Sequence, residues 1–279
     1  AIPVHLLFGT RSSPDAVGRL ESVPTFVGVT RCEPCHRAAA EKWRGSHHDL
    51  AMDVATPETV LGDFNDVEFE YKGLTSRFYR RDERYFVNTE GPDGELAEFE
   101  VRYTFGVEPL QQYLVEFDNG HLQPLPFAWD TRTASEGGQR WFHLYPDSDT
   151  GAGNGMHWSG RYKNWNARCA ECHATDYHKN YNPLKDLYTS RQSEIGVGCE
   201  ACHGPASEHI KWTKNQELNV TNKGFPVSLK RKQKVWDKDS TTLKSFLTDN
   251  EINVCAKCHS RRSQLDDDYV PGDAFHDHY

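Results

Sequence analysis

The eight cysteines of the chain form four copies of one pattern, in which two cysteines are separated by two residues and a histidine follows at once. The copies occupy residues 32–36, 169–173, 199–203 and 255–259, here called motifs 1 to 4. Two thiols one helical turn apart can each add to a heme vinyl group, and the following histidine can then bind the iron as proximal ligand. The pattern therefore predicts four hemes c. The predicted attachment residues are Cys32, Cys35, Cys169, Cys172, Cys199, Cys202, Cys255 and Cys258, and the predicted proximal ligands are His36, His173, His203 and His259.

Other uses of paired cysteines fit this pattern less well. Structural zinc sites pair C-x-x-C units, but they need no histidine directly after each pair. Disulfides would not explain a histidine that recurs at the same place in every copy. A thioredoxin-like redox motif would occur once, near a βαβ pattern. Heme attachment is therefore favoured, and because such proteins mature outside the cytoplasm, we predict a periplasmic or extracellular location.

Ten further histidines are available as the sixth ligands of the irons. The predicted distal ligands are His48, His157, His209 and His278. The Gly-Pro turn after motif 3 prevents its helix from simply continuing, so His209 can reach a neighbouring heme. His143 lies in a stretch that is typical of a strand and is the reserve candidate. Since the chain has only two methionines, most hemes should have two histidine ligands and comparatively low potentials.

The composition argues against several classes of partner. The formal net charge of −9 disfavours a nucleic-acid partner, which would need a basic face. No stretch approaches the roughly 20 apolar residues of a membrane span. Hydrophobic residues make up only 37% of the chain, so large apolar cofactors are expected to complete its core. We predict redox proteins as partners; the basic run at residues 230–234 is interpreted as a solvated loop, with a docking patch for an acidic redox partner as the alternative.

Both ends of the chain carry information. The apolar opening at residues 2–8 is too short for a signal peptide, so we expect a mature chain whose export signal has been removed. Residues 275–279 are as rich in aromatic residues and histidine as the interior. Termini usually fray into polar residues, so either this end is tied down or the chain is part of something longer.

The long gap between motifs 1 and 2 differs in character from the heme-bearing parts. It contains six runs rich in β-branched and aromatic residues, at residues 67–71, 76–80, 85–89, 97–103, 113–117 and 141–145. A Gly-Pro-Asp-Gly turn at residues 91–94 separates two of them. Outside this gap the pattern indicates short helices and loops, such as a helix at residues 37–44 that ends at Gly45.

We therefore predict an α+β fold, with short helices and loops wrapped around four c-type hemes and an inserted antiparallel β unit. The predicted divisions are an N-terminal segment with the first heme at 1–63, the β unit at 64–145, and a region carrying three hemes at 146–279.

Several stretches resemble multiheme c-type cytochromes. The similarity is to the tetraheme cytochromes of ammonia oxidation and to larger exported cytochromes often fused to tetratricopeptide repeats. The matching stretches are motif 1 with Trp43, Ser46, His48 and Ala51, then residues 106–114, 137–143, 164–166 with motif 2, and 199–209. The resemblance extends from about residue 26 to the end.

This resemblance implies electron transfer through closely packed, mainly bis-histidine hemes. It supports His48, His157, His209 and, to a lesser extent, His278 as distal ligands. The larger relatives continue past the region of residues 277–279 with further heme motifs or repeats, whereas this sequence stops there. A truncated relative, a natural short form and a subunit of a longer heme chain are all compatible with it.

Three functions follow as hypotheses. The leading one is electron transfer, because no catalytic constellation is evident. The alternative is a multiheme reductase of a small nitrogen or sulfur oxyanion at one open heme; some relatives use lysine as the proximal ligand of the active heme, whereas all four motifs here end in histidine. The third is a homopolymeric filament joined by heme stacking or ligand exchange between subunits, with His5 or the C-terminal histidines as ligands across the interface.

Overall fold

A computed structural model describes residues 23–147, 150–230, 232–236, 243–247 and 249–279. His5 and Arg231 of the basic run lie outside these ranges. The largest element is an eight-stranded antiparallel sheet. Its strands are β1 (Met52–Val54), β2 (Asn65–Tyr71), β3 (Leu74–Arg81), β4 (Arg84–Glu90), β5 (Leu96–Phe105), β6 (Leu110–Glu116), β7 (Leu122–Asp130) and β8 (Arg140–His143). The order is β2-β3-β4-β5-β6-β7-β8, and β1 also pairs with β5.

Each of the six predicted runs coincides wholly or partly with a strand of this sheet. The turn at residues 91–94 joins β4 to β5, where the Gly94 N–H donates to the Gly91 carbonyl at 3.2 Å. Strand β7 was not predicted, because Pro124 and Pro126 cannot donate to a ladder and argue against a central strand. The register between β6 and β7 shifts opposite these prolines, which accommodates them.

The sheet curls so that its two end strands approach each other. The rings of Tyr71 on β2 and His143 on β8 stack at 4.0 Å, and the Tyr71 hydroxyl donates to the Pro146 carbonyl at 2.5 Å. Phe64, which precedes β2, meets Trp141 of β8 edge to face at 5.3 Å. An aromatic core fills the curled sheet. Its buried members are Phe64, Phe78, Tyr85, Val87, Val101, Tyr113, Val115, Leu125, Phe127, Trp129, Trp141 and Trp158.

A second core joins the sheet to motif 2. Phe105 and Leu114 of the sheet pack with Trp165, Ala170 and Tyr177. Ala170 is a spacer residue of motif 2 and is fully buried. Burial at this point fixes motif 2 against the sheet.

The remaining chain consists of short helices, short hairpins and loops. The helices are α1 (Val29–Cys32), α2 (Arg37–Trp43), α3 (Trp165–Arg168), α4 (Ala170–His173), α5 (Glu200–His203), α6 (Ser207–Lys214), α7 (Asn250–His259) and α8 (Phe275–His278). The hairpins pair β9 (Ala174–Thr175) with β12 (Glu194–Ile195), β10 (Tyr181–Asn182) with β11 (Leu187–Tyr188), and β13 (Lys232–Trp236) with β14 (Leu243–Leu247).

The predicted α+β class is confirmed. The helix predicted at residues 37–44 corresponds to α2, and Gly45 follows it with a φ of 75°. Among the helices in the described ranges, none has the length and apolar character needed to cross a membrane. The divisions at residues 63 and 145 stay a prediction.

Candidate heme-binding sites

Each of the four motifs lies on or beside a short helix. Motif 1 joins α1 to α2, motif 2 ends on α4, motif 3 ends on α5, and motif 4 lies within α7. In motif 1 the N–H of His36 donates to the carbonyl of Cys32 at 3.0 Å, and in motif 3 the N–H of His203 donates to that of Cys199 at 3.1 Å. One helical turn therefore holds both cysteines and the histidine together. All eight cysteines are free thiols, of which Cys35, Cys255 and Cys258 are exposed and the other five are partly buried.

The motifs meet through their thiols, and motif 1 lies beside motif 3. A hydrogen bond between Cys32 and Cys199 raises the pKa of the Cys32 thiol and lowers that of Cys199. Motif 2 lies beside motif 4, where a hydrogen bond from Cys258 lowers the pKa of Cys172 to about 7. These pKa shifts belong to the free thiols, because a thioether sulfur carries no proton.

Motif 3 lies near motif 4. Burial raises the pKa of Cys202, and the Cys255 thiol adds to the effect. The order of neighbouring motifs is therefore motif 1, motif 3, motif 4 and motif 2. This order differs from the order along the chain.

Two pairs of imidazoles have ring centroids about 6 Å apart, a separation that suits an iron between them. The rings of His36 and His209 have centroids 6.1 Å apart, and those of His48 and His259 are 6.0 Å apart. A metal–imidazole bond is about 2.0–2.1 Å long and the ring centroid lies about 1.1 Å behind the nitrogen, which gives roughly 6.3 Å between two rings on opposite sides of one metal. Each pair joins a motif histidine to a predicted distal ligand, so these residues fit a six-coordinate heme iron.

Backbone carbonyls orient two of the imidazoles. His209 Nδ1 lies 3.0 Å from the Lys223 carbonyl, and His173 Nδ1 lies 2.8 Å from the Ala51 carbonyl. A proton on Nδ1 is required for either hydrogen bond, so Nε2 is left as the lone-pair nitrogen. Ligating histidines commonly donate their other ring N–H in this way.

The other predicted distal ligands have different neighbours. His157 is 5% exposed, its Nδ1 lies 2.8 Å from Ser159 Oγ, and its described ring contact is Trp158. His278 Nδ1 lies 2.8 Å from Asp266 Oδ1, and this hydrogen bond raises the pKa of His278. No motif histidine is among the ring contacts described for these two. The reserve candidate His143 belongs to the sheet, as its strand pattern indicated.

Two carboxylates between motifs 1 and 3, the buried Glu200 and the half-buried Glu194, were missed by the sequence analysis. Glu200, a spacer residue of motif 3, is 1% exposed. Its carboxylate accepts hydrogen bonds from the N–H groups of Val27 at 2.9 Å, Gly28 at 2.8 Å and Ala206 at 2.7 Å. Glu194 accepts from the Val29 N–H at 2.7 Å, and burial raises its pKa. The segment that leads into motif 1 is therefore held by acids that follow motif 2.

A third missed feature ties the C-terminus to motif 2. Arg262 forms an ion pair with Glu171 at 2.6 Å and lies 3.4 Å from the Cys172 sulfur. The Tyr279 hydroxyl donates to the same carboxylate, and the Arg262 guanidinium lies 4.5 Å from the Tyr279 ring centroid. Residues at the aromatic end of the chain are thus anchored. A charged residue at a motif spacer position, such as Glu171, is the sequence signal that could have revealed these contacts.

Comparison with known proteins finds similarity to cytochromes. Residues 147–204, which include motifs 2 and 3, match the family model described as cytochrome c554 and c-prime. The crystal structure of the outer cell wall cytochrome OcwA is similar in fold, with a TM-score of 0.52 and 18% identity over 91% of this chain. The match covers 44% of the OcwA chain, so this chain spans less than half of its length.

A second solved structure with similarity to the chain is that of the undecaheme cytochrome from the S-layer of Carboxydothermus ferrireducens. Its TM-score is 0.42 at 20% identity, over 87% of this chain and 26% of that one. None of the curated proteins matches the chain. The predicted resemblance to multiheme c-type cytochromes is confirmed.

Proposed function

We propose that this chain is a c-type cytochrome that carries four hemes and transfers electrons through them. The eight motif cysteines would hold the hemes as thioethers, and His36, His173, His203 and His259 would be the proximal ligands. When bound, each heme supplies an iron that cycles between its ferric and ferrous states. The protein contributes the ligands, the spacing between the hemes and their exposure to solvent.

The observation that carries this proposal is the convergence of the four motifs. Motif 1 contacts motif 3, motif 4 contacts motif 2, and motif 3 lies near motif 4. Cofactors attached to neighbouring motifs would lie near one another, and successive electron steps require such proximity. We therefore propose the order 1-3-4-2 for the heme chain.

The imidazole spacings support two ligand assignments. We assign His209 to the heme of motif 1 and His48 to the heme of motif 4, because their rings lie at 6.1 and 6.0 Å from those of His36 and His259. For motifs 2 and 3 the sixth ligand stays a prediction. Two histidine ligands would keep the iron low-spin. They would also give the heme a lower reduction potential than a heme with a methionine ligand has.

Heme stoichiometry and spin state test the proposal together. Intact mass and a pyridine hemochrome assay on the mature protein should give four hemes per chain. Electron paramagnetic resonance of the oxidised protein should show low-spin signals from the hemes of motifs 1 and 4. Fewer than four hemes, or a spectrum made up wholly of high-spin heme, would contradict it.

A second candidate function is reduction of a small nitrogen or sulfur oxyanion at one open heme. The observation that favours it is at motif 2, where the ring contact described for His173 is Phe105 and not a second histidine. Steady-state assays with nitrite, hydroxylamine and sulfite under a viologen donor should then show turnover. Absence of turnover together with an all low-spin spectrum would leave electron transfer as the function.

Export and assembly form part of the proposal. The solved structure of similar fold is of an outer cell wall cytochrome, which supports an exported location for this chain, in the periplasm or outside the cell. Redox proteins are the proposed partners. A homopolymeric filament is a further prediction, and negative-stain microscopy of the purified protein tests it, since compact particles alone would argue against it.

A further inference from the structure

We propose that Arg262 and Glu171 form a buried charge pair that sets the reduction potential of the heme attached at motif 2. The positive charge of Arg262 raises this potential, and the negative charge of Glu171 lowers it. The inference rests on the proposed function, because it needs a heme bound at Cys169 and Cys172. It goes further by naming the residues that place one heme in the sequence of potentials.

The guanidinium of Arg262 is held between motifs 2 and 4. Its Nη1 atom forms the ion pair with Glu171 at 2.6 Å, and its Nη2 atom donates to Cys172 Sγ at 3.4 Å. Its Nε atom donates to the Lys257 carbonyl, in motif 4, at 2.6 Å. Three nitrogens of one rigid, planar group therefore have three different partners, which fixes the charge beside the sulfur. That sulfur is the atom through which Cys172 would bind the porphyrin edge.

Both members of the pair are shielded from water. The side chain of Arg262 is 14% exposed and that of Glu171 is 10% exposed. The Tyr279 ring lies over the guanidinium at 4.5 Å, and the Tyr279 hydroxyl donates to the Glu171 carboxylate. Arginine is not deprotonated in proteins, so its charge is permanent. Because water and salt screen a buried charge much less than an exposed one, these two charges act strongly on a neighbouring heme.

The sign of each charge decides its effect on the heme. Reduction of a ferric heme adds one electron, and therefore one negative charge. A cation beside the porphyrin edge stabilises the reduced form, and a carboxylate destabilises it. The effects of Arg262 and Glu171 therefore oppose each other, and removal of either charge leaves the other uncompensated.

Motif 1 carries a comparable ion pair that is more exposed. Glu33, a spacer residue of motif 1 as Glu171 is of motif 2, forms an ion pair with Arg44. The side chain of Arg44 is 59% exposed and that of Glu33 is 31% exposed. Solvent screens such a pair, which limits its influence on a heme. This difference in burial makes Arg44 the matched control for Arg262.

Spectroelectrochemical titration of the holoprotein tests the proposal, with pH and ionic strength held constant. Arg262→Gln should lower one of the four midpoint potentials. At a fixed electrode potential the ratio of reduced to oxidised heme should fall about tenfold for that component, which is about 59 mV for a one-electron couple. Glu171→Gln should raise the same potential. Loosened packing would move both variants in the same direction, so opposite shifts identify an effect of charge.

Two further variants and a control complete the series. Arg262→Lys retains the positive charge and should keep the ratio of reduced to oxidised heme within about threefold of that in the parent. The double variant Arg262→Gln with Glu171→Gln removes both charges and should also stay within about threefold. Arg44→Gln, at the exposed pair, should change no ratio by more than about twofold.

The component that shifts identifies the motif. His209→Met and His48→Met replace the sixth ligands proposed for motifs 1 and 4, so each should raise the potential of its own heme. The component lowered by Arg262→Gln should be one that neither of these variants moves.

Three results would overturn the proposal: unchanged potentials in Arg262→Gln, shifts of the same sign in Arg262→Gln and Glu171→Gln, or a shift of the component that His48→Met moves. If Arg262→Gln binds fewer hemes than the parent, Glu171→Gln decides, since a raised potential supports the charge pair and an unchanged or lowered one overturns it. A pyridine hemochrome assay on each sample separates this failure from that of the proposed function. Four hemes per chain with unchanged potentials reject the charge pair alone, whereas fewer than four hemes in the parent protein reject the proposed function.

Discussion

At the scale of single residues, the two imidazole pairs link the fold to the proposed cofactors. His209 and His48 were predicted as distal ligands from the sequence, but their partners were not. The partner of His209 is His36 in motif 1, and the partner of His48 is His259 in motif 4. Each pair joins residues far apart in the chain, so its identity depends on the tertiary fold and not on local spacing.

The first prediction concerns the distal ligand of motif 1. His209→Ala should convert one heme from low-spin to high-spin, because the iron loses its sixth ligand. His209→Met should keep that heme six-coordinate and raise its potential. Electron paramagnetic resonance and a spectroelectrochemical titration measure both effects.

His276→Ala, at an exposed histidine, is the matched control for this variant and should leave all spectra unchanged. Retention of four unaltered heme signals in His209→Ala would contradict the assignment of His209 to motif 1.

The second prediction is a pH dependence at Glu194. Burial raises the pKa of this carboxyl above its usual value of 4.5, so ionisation is disfavoured in the folded state. The Glu194 carboxyl therefore makes its full contribution to the free energy of unfolding at pH values below its unfolded-state pKa. That contribution is lost as the pH rises through its folded-state pKa. Glu194→Gln keeps an acceptor for the Val29 N–H and should remove this loss.

Denaturant unfolding of the holoprotein at a series of pH values from about 4 to 7 measures the effect, as the difference between parent and variant. Glu251→Gln, at an exposed position of α7, serves as control. If the free energy of unfolding depends on pH in the same way in the parent and in Glu194→Gln, the pKa of this carboxyl does not change on folding.

At the scale of elements, the sheet was largely predictable and its closure was not. The alternation of apolar and polar residues, together with the turn residues, was sufficient to predict six strands, because each of these signals lies within one short run. Strand β7 carries two prolines, which local patterns assign to turns, and it forms a strand because β6 shifts register opposite them. The approach of β2 to β8 depends on contacts such as Tyr71 with His143, which no local pattern encodes.

The third prediction tests how the sheet contacts the hairpin between motifs 2 and 3. Gly120, in the turn between β6 and β7, has a φ of +73°, and a Cβ there would lie 2.3 Å from the Tyr188 carbonyl oxygen. Gly45 has nearly the same φ, +75°, with nothing within 4 Å of such a Cβ. Gly120→Ala should therefore destabilise the protein by about 1–3 kcal/mol more than Gly45→Ala, the cost of overpacking.

Thermal unfolding followed by circular dichroism gives this difference directly. Both variants carry the cost of a left-handed residue, about 1–2 kcal/mol, so the comparison isolates the clash. Equal destabilisation by Gly120→Ala and Gly45→Ala would mean that the sheet and this hairpin can move apart at no cost in free energy.

At the scale of the whole molecule, the sequence predicts four cofactors but not their proposed order. Motif spacing predicts the number of attachment sites, because the chemistry is local. The contacts that give the order 1-3-4-2 depend on how α1, α4, α5 and α7 pack, and these helices are too short to carry a periodic signal.

The fourth prediction follows from the net charge of −9, to which heme propionates add. The rate of reduction by a cationic metal complex should fall as ionic strength rises, and that by anionic dithionite should increase, because salt screens both interactions. A neutral reductant is the control and should show little change. Stopped-flow kinetics measure the reduction rates with the three reductants. A salt dependence of opposite sign would show that the surface where electrons enter the protein is locally basic.

The anchoring of the first motif by Glu200 has a consequence for biosynthesis. The Val27 N–H that donates to this carboxylate lies 173 residues earlier in the chain. In a chain that is synthesised from its N-terminus, motif 1 therefore exists before the carboxylate that anchors the segment leading into it. Under the proposed function, the enzyme that attaches the first heme could meet motif 1 before this anchor has formed, and the anchored arrangement requires motif 3 to be present.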